Sequence, residues 1–266
     1  MNDLSYLVTK IKDISIDAGR GILDIYNSGY SVEHKDDRSP LTEADMNSHN
    51  IICKHLADLT PDIPVLSEES SGSPYEIRKT WQRYWLVDPL DGTREFIKHN
   101  GEFTVNIALV ENHIPVLGVV HVPVNAITYF AWAGNGAYKQ TKDHTPGKIT
   151  ARKTNSSKIT VAGSRSHGSD RQQAFIKTLG DVEVFAIGSS LKFCMVAEGR
   201  VDIYPRFGPT SEWDTAAAQC IVEESGGVVV DEDFKRLRYN RGESLLNPYF
   251  LVIGDPAFDW RPYLSI

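Results

Sequence analysis

The sequence predicts a protein of mixed class, α+β in its first half and α/β in its second, stacking as a layered αβαβα sandwich. Three observations carry this. Two stretches near the N-terminus place apolar residues at helical spacing, a series of short strand-like runs follows them, and beyond about Lys148 strand-like and helix-like segments alternate. The first half then reads as an antiparallel sheet under two helices, and the second as a mixed sheet flanked by helices. The expected division is 1–147 and 148–266, because residues 141–154, TKDHTPGKITARKT, are polar and carry Pro and Gly as a linker does.

The elements follow in order. Over residues 4–25, Leu4, Leu7, Val8, Ile11, Ile14, Ala18, Ile22 and Ile25 fall at three-, four- and seven-residue steps, one face of a long amphipathic helix. The polar stretch SVEHKDDRSP follows, and then a second helix begins at Thr42, with Met46, Ile51, Ile52, His55 and Leu56 on its pattern and Pro61 ending it. Strand-like runs come next: IPVLSEE, YWLVDP, FTVNIALVE, IPVLGVVHVP, AITYFAWA and GAYK, with hairpin-length links at Asn112-His113 and Asn135-Gly136. The second half reads KITVAGSR as a strand, a helix at 169–179, VEVFAIG, a helix at 189–198, VDIYPR, a helix at 214–224, then GGVVVDE and YFLVIGD. No internal repeat or low-complexity segment interrupts the series.

Composition narrows the function. The chain has 266 residues, 41% of them apolar and 24% charged, an ordinary globular mixture. A net charge of -7 disfavours a nucleic-acid polymer or an anionic membrane surface as partner, since both select basic faces. A small anion met by local cations remains compatible. The opening MNDLSYLVTKIKDIS has no continuous apolar region, which predicts no signal peptide, and no apolar run reaches the ~18–20 residues of a spanning helix. Cys53, Cys194 and Cys220 are odd in number and far apart, which suits reduced, mostly buried thiols in a cytoplasmic protein.

Acids at element ends are the chemical signal. In YWLVDPLDGT, Asp88 leaves a strand and Asp91 sits in a turn shaped by Pro89 and Gly92, with Thr93 expected to cap a short helix TREFIKH. Glu68 and Glu69 follow the run IPVLS, Asp214 opens a helix, and Asp45 stands three residues after Thr42. Taken singly, each has an ordinary reading. DPLDGT makes a corner, the Glu pair a solvated loop, Asp214 a favourable charge at a helix start worth about 0.3–1 kcal/mol, and Asp45 half of a capping box. Taken together they form the set that a two-metal phosphatase needs, carboxylates able to hold two cations about 3.5–4 Å apart. With no His or Cys at zinc spacing, the hard oxygen donors select Mg²⁺. A calcium loop counted from Asp88 fails, because it would put Gly92 fifth and His99 twelfth. An aspartate-nucleophile phosphatase of the haloacid dehalogenase kind stands as the alternative, although here one residue more separates the two acids.

These motifs also carry a resemblance. DPLDGT at 88–93, SEES at 67–70 and WDTAAA at 213–218 resemble the signatures of the inositol monophosphatase superfamily, Mg²⁺-dependent and lithium-sensitive phosphomonoesterases. Within it, GSRSH at 163–167 and the segment 188–219 starting GSSLKF look like the bacterial 3'(2'),5'-bisphosphate nucleotidases, and the likeness runs from SPLTEAD at 39–45 to the glycines at 226–227. The resemblance implies two or three Mg²⁺ held by Glu68, Asp88, the Leu90 carbonyl, Asp91 and Asp214, with Thr93 and Asp45 activating water for direct in-line attack. Gly92 and Thr93 would turn backbone N–H groups toward the phosphate, joining the metal-holding residues in substrate binding, and Ser164, Arg165, Ser166, His167 and Lys192 would contact the nucleotide, with Arg206 a further local cation. The implied substrate is adenosine 3',5'-bisphosphate (PAP), cleaved to AMP and phosphate, with the 3'-phosphate of its sulfated relative PAPS as a second. The resemblance also implies a cytoplasmic monomer or homodimer, with a peripheral position at the inner membrane face left open. An inositol or other sugar-phosphate phosphatase, and a nucleotide-binding pseudo-enzyme, are the competing expectations.

Overall fold

A computed structural model describes residues 3–28, 32–34, 40–70, 73–142, 144–164 and 169–264. The first helix, α1 (Leu4–Ser28), buries Leu7, Val8, Ile11, Ile14, Ala18 and Ile22 along one stripe, the face its spacing predicts. A short antiparallel pair, β1 (Val32–His34) and β2 (Pro40–Thr42), then lies within the stretch expected to be loop. Its strands are too short for alternation to show. Helix α2 (Glu43–Leu59) starts on a capping box in which Thr42 and Asp45 satisfy each other's backbone groups.

Strand β3 (Val65–Ser67) and the single turn α3 (Tyr75–Arg78) precede β4 (Arg83–Asp91), α4 (Thr93–Ile97) and β5 (Thr104–Glu111). Strands β6 (Ile114–Val122), β7 (Ile127–Trp132), β8 (Ala137–Thr141) and β9 (Gly147–Ile149) complete a seven-stranded sheet in sequence order. It is antiparallel as expected except at its edge, where β3 runs parallel to β4. Asn112 and His113 link β5 to β6 with φ values of 49° and 72°, the left-handed pair that a two-residue hairpin requires. The polar stretch read as a linker contributes β9, which pairs back onto β8, so the break between sheets falls after Ile149.

The second sheet contains β10 (Thr160–Ser164), β11 (Glu183–Ile187), β12 (Ile203–Arg206), β13 (Val228–Asp231) and β14 (Phe250–Ile253), with α5 (Asp170–Thr178), α6 (Leu191–Ala197) and α7 (Glu212–Glu224) between them and a 3₁₀ turn at Arg261–Leu264. Its order is β11-β10-β12-β14-β13. The first three strands are parallel and β14 is antiparallel to both neighbours, the mixed sheet that was expected.

Two-residue alternation sorts each strand's side chains between layers. Trp85, Val87, Ile107 and Leu109 face α1 and α2. Tyr84, Leu86, Ala108 and Val110 face the opposite way, into a second core formed with α6, α7 and one face of the second sheet. Val161, Ile203, Leu251 and Ile253 point outward beneath Phe175 of α5 and Trp260. The layers therefore run helix, sheet, helix, sheet, helix. Cys194 and Cys220 are buried and Cys53 half-buried, all three as free thiols. Among the described residues no helix is long and apolar enough to cross a membrane.

The middle layer is unusually close to the first sheet. Ala216, Ala217 and Ala218 are all buried, so small side chains surround this turn of α7, and its backbone lies over Gly118 of β6, where an added Cβ would stand 2.1 Å from the Ala217 carbonyl oxygen. A Gly118→Ala variant must push α7 off the sheet, an overpacking cost of about 1–3 kcal/mol that lowers the melting temperature by roughly 2–4 °C per kcal/mol. Gly147→Ala, whose nearest atom is 4.0 Å away, should melt with the wild type in the same calorimetric series.

Candidate active site

The end of β4 differs from the corner expected of DPLDGT. Asp88 still pairs with Asn106 and Asp91 with Thr104, and the register shifts between them, so DPLD is a bulged strand end. Pro89, which has no N–H to give a ladder, occupies the bulge, and its carbonyl accepts from Ser48 Oγ at 2.7 Å. Asp88 Oδ1 accepts from the Leu90 N–H at 3.1 Å, which closes the bulge locally. Gly92 takes the left-handed conformation, φ 94° and ψ 40°, and it rather than Thr93 is the N-cap of α4. This corrects the expected cap. Thr93 is thereby released, and its hydroxyl donates to Asp45 Oδ1 at 3.2 Å with the Leu90 carbonyl 3.4 Å away.

Asp45 both caps α2 and meets Thr93. Its Oδ2 accepts from the Thr42 N–H at 2.9 Å and the Thr42 hydroxyl at 2.6 Å, while Oδ1 faces Thr93. Asp214 has the same character. It is the third residue of α7, its Oδ2 accepts from the Ser211 N–H at 2.8 Å in a second capping box, and it sits among acids from other segments. Glu68 lies just past β3, its N–H donating to the Val87 carbonyl at 3.1 Å, so the sheet ladder continues one step beyond the strand.

Carboxylate oxygens of Glu68, Asp88 and Asp214 lie within 4.8 Å of one another. Asp88 is buried, and burial together with the Glu68, Asp91 and Asp214 charges pushes its carboxyl well above the usual range. Burial, with Asp91 and Glu68, raises Asp214 likewise. All the donors are hard oxygens, so the residues suit a cation such as Mg²⁺ in chemistry as well as in spacing. Asp91 lines the same cavity, but its Oδ2 accepts from Ser190 N–H at 2.6 Å and faces Ser190 Oγ at 2.8 Å. Ser190 Oγ also lies 2.8 Å from the Asp214 carbonyl and accepts from Asn106 Nδ2 at 2.9 Å. It therefore ties the end of β4 to the start of α7.

These side chains open on a cavity of about 290 Å³ whose wall includes Leu90, Gly92, Thr93, Lys192, Tyr204 and Arg206. Lys192 is buried, its ammonium 5.3 Å above the Tyr204 ring, and it donates to the carbonyls of Ser189 at 2.6 Å and Ile187 at 3.3 Å. Burial pulls it down to about 8, against the opposing pull of Asp91. Arg206 is braced by Thr210 Oγ1 at 2.7 Å and the Pro209 carbonyl at 2.9 Å. Ser164 ends β10, and Arg165, Ser166 and His167 lie outside the described residues. Sequence reasoning missed Ser48, Ser190 and Asn106. Polar residues of these types are common, and only contacts across 41 and 84 positions give them meaning.

A sequence profile described as the inositol monophosphatase family matches residues 3–251. The chain belongs to the inositol monophosphatase family. Among curated members it is 47% identical to the 3'(2'),5'-bisphosphate nucleotidase CysQ of Salmonella typhimurium, over 92% of this chain and 99% of that protein. It is 38% identical to the protein of the same name from Haemophilus influenzae, over 96% of each. Among solved family structures, CysQ from Bacteroides thetaiotaomicron superposes with a TM-score of 0.82 at 42% identity, covering 94% of this chain and 97% of that one. This family is not the haloacid dehalogenase family named as the alternative.

Crowding these acids costs folding energy in the absence of a cation. An Asp214→Asn variant keeps an acceptor for the Ser211 N–H and removes one charge. In EDTA it should melt no lower than the wild type, by scanning calorimetry, while the rise in melting temperature on adding Mg²⁺ should largely disappear. A drop of several degrees in EDTA would mean that the charge itself supports the fold.

Proposed function

We propose that this enzyme is a Mg²⁺-dependent phosphomonoesterase that removes the 3'-phosphate of PAP to give AMP, and acts on the 3'-phosphate of PAPS as well. The observation that carries the reading is the carboxylate trio at the cavity, in a chain 38–47% identical over most of its length to proteins named bisphosphate nucleotidases. We assign Glu68, Asp88, Asp91, Asp214 and the Leu90 carbonyl to hold the metal, two or three ions in all. When bound, Mg²⁺ would acidify water and stabilise charge on the phosphoryl group.

The chain's own residues do the rest in this reading. The Thr93 hydroxyl, aligned on Asp45 Oδ1, takes a proton from the attacking water and passes its own to Asp45. Thr42 fixes Asp45 through two hydrogen bonds, so that acceptor cannot rotate away. Gly92 and Thr93, at the turn into α4, offer backbone N–H groups to the phosphate. Lys192 and Arg206 bring positive charge to the cavity for the nucleotide's remaining phosphate, and the resemblance alone assigns Ser164, Arg165, Ser166 and His167 to nucleotide contact. Residues 1–147 would supply most of the metal ligands and 148–266 Asp214 and the nucleotide contacts. Three free thiols suit the reducing cytoplasm, where we place the enzyme.

A phosphate-release panel tests this. With Mg²⁺, PAP should turn over far faster than inositol 1-phosphate or fructose 1,6-bisphosphate, and both EDTA and lithium should abolish or strongly reduce the rate; equal rates on PAP and inositol 1-phosphate would refute the nucleotidase reading. Thr93→Val should lower kcat by about 10²–10⁴-fold, the range of general acid–base groups, with little change in melting temperature.

A further inference from the structure

One face of α2 meets the active-site region at three points. Asp45 faces Thr93, Ser48 holds the Pro89 carbonyl, and His49 reaches Ser67. Residues 45, 48 and 49 fall at three- and four-residue steps, the spacing that aligns side chains on a helix surface. The first two contacts act on residues with roles assigned above. The third has no such role.

His49 Nδ1 lies 2.8 Å from Ser67 Oγ. Burial holds the imidazole below its ordinary value, so it is neutral near pH 7 and can accept from the hydroxyl. Ser67 is 2% exposed, ends β3 and immediately precedes Glu68. That strand is three residues long and lies at the edge of the sheet, so ladder bonds from one neighbour alone secure it. Past Ser67 the backbone turns back at once, with Ser70 N–H and Oγ both on the Ser67 carbonyl, at 3.1 and 2.7 Å. Glu68 therefore projects from a short edge strand just before a turn, where a small rotation of the chain moves a carboxylate by enough to matter.

We propose that His49 is a positioning residue for Glu68: by anchoring the Ser67 hydroxyl to α2, it sets where the Glu68 carboxylate stands and so the affinity of the acid cluster for a divalent cation. The proposal rests on the reading of Glu68 as a metal ligand. It differs from a packing role, in which the ring only fills the space between α2 and β3 beside Cys53 Sγ, 3.6 Å from Nδ1.

Mn²⁺ titration without substrate, followed by the paramagnetic signal of the free ion, separates the two. His49→Ala and Ser67→Ala should each weaken Mn²⁺ binding by about 10-fold, the lower end of what partners of metal ligands command, and the double variant should lose no more than either single one. His49→Asn should restore binding because its amide sits where Nδ1 does, whereas His49→Gln reaches the Nε2 position and should not. Affinities within about twofold of wild type in both Ala variants, losses that add in the double variant, or equal rescue by Gln and Asn would overturn the proposal. If His49→Ala does not fold, Ser67→Ala, a loss of one oxygen, carries the test. The readout needs no turnover, so failure to hydrolyse PAP would sink the nucleotidase reading and leave this result standing; a wild type that binds no Mn²⁺ would sink the metal reading and His49's role with it.

Discussion

Everything in this molecule turns on keeping like charges together where water does not screen them. Asp88 is almost wholly buried, and Glu68 and Asp214 carboxylates stand within 4.8 Å of it and of each other. Such groups would separate if their backbones were free to move, since each destabilises the others' charged form. The chain prevents this by bringing them in on different rigid elements. Asp88 arrives on a central strand, Glu68 on the edge strand beside it, and Asp214 on a helix lying flat against the same sheet. The close seat of α7 over Gly118 then has a chemical consequence as well as a packing one, because the height of that helix sets how near Asp214 comes to the end of β4.

Two helices use one device to aim their acids. Thr42 with Asp45 and Ser211 with Asp214 are both capping boxes with aspartate at the third helical position. In each, one carboxylate oxygen satisfies the backbone of the cap while the side chain remains available to the site. The positive end of the helix also offsets part of the cost of holding an anion there, by about 0.3–1 kcal/mol. Capping does not compete with the chemical role proposed for either residue, since it fixes the side chain and leaves the carboxylate at the site. Ser190 completes the frame, meeting Asp91 across 99 positions of chain and the Asp214 carbonyl across 24, so the end of β4 cannot shift against the starts of α6 and α7 without breaking it.

Much of the fold was legible because it rests on periodicity. The stripe of α1, the alternation of β4 and β5 and the switch to alternating strands and helices are all local patterns, and the structure follows them. What was illegible depends on contacts that no window contains. The bulge at Pro89 needs Asn106 and Thr104 opposite it, the cap at Gly92 follows from the bulge, and β9 exists because β8 is there to pair with. The same holds at the site. Acids announce themselves by chemistry, whereas Ser48, His49 and Ser190 are ordinary residues until the fold sets them against Pro89, Ser67 and Asp91.

The remaining question is how a chain of net charge -7 accepts a multiply charged anion, and the cations of the cavity suggest an order of events. Lys192 donates to two carbonyls and Arg206 is braced by Thr210 and Pro209, so neither side chain swings as a long-range lure. Both are fixed donors whose positions are set before a ligand arrives, which limits the entropy lost on binding. The acid cluster, by contrast, holds protons until a cation displaces them, because burial and mutual repulsion raise Asp88 and Asp214. In the proposed mechanism metal loading thus exchanges protons for cations at Glu68, Asp88, Asp91 and Asp214, and the added positive charge would join Lys192 and Arg206 in attracting phosphate. Affinity for substrate then depends on affinity for the ion, which places the hydrogen bonds that position the carboxylates upstream of both binding and catalysis.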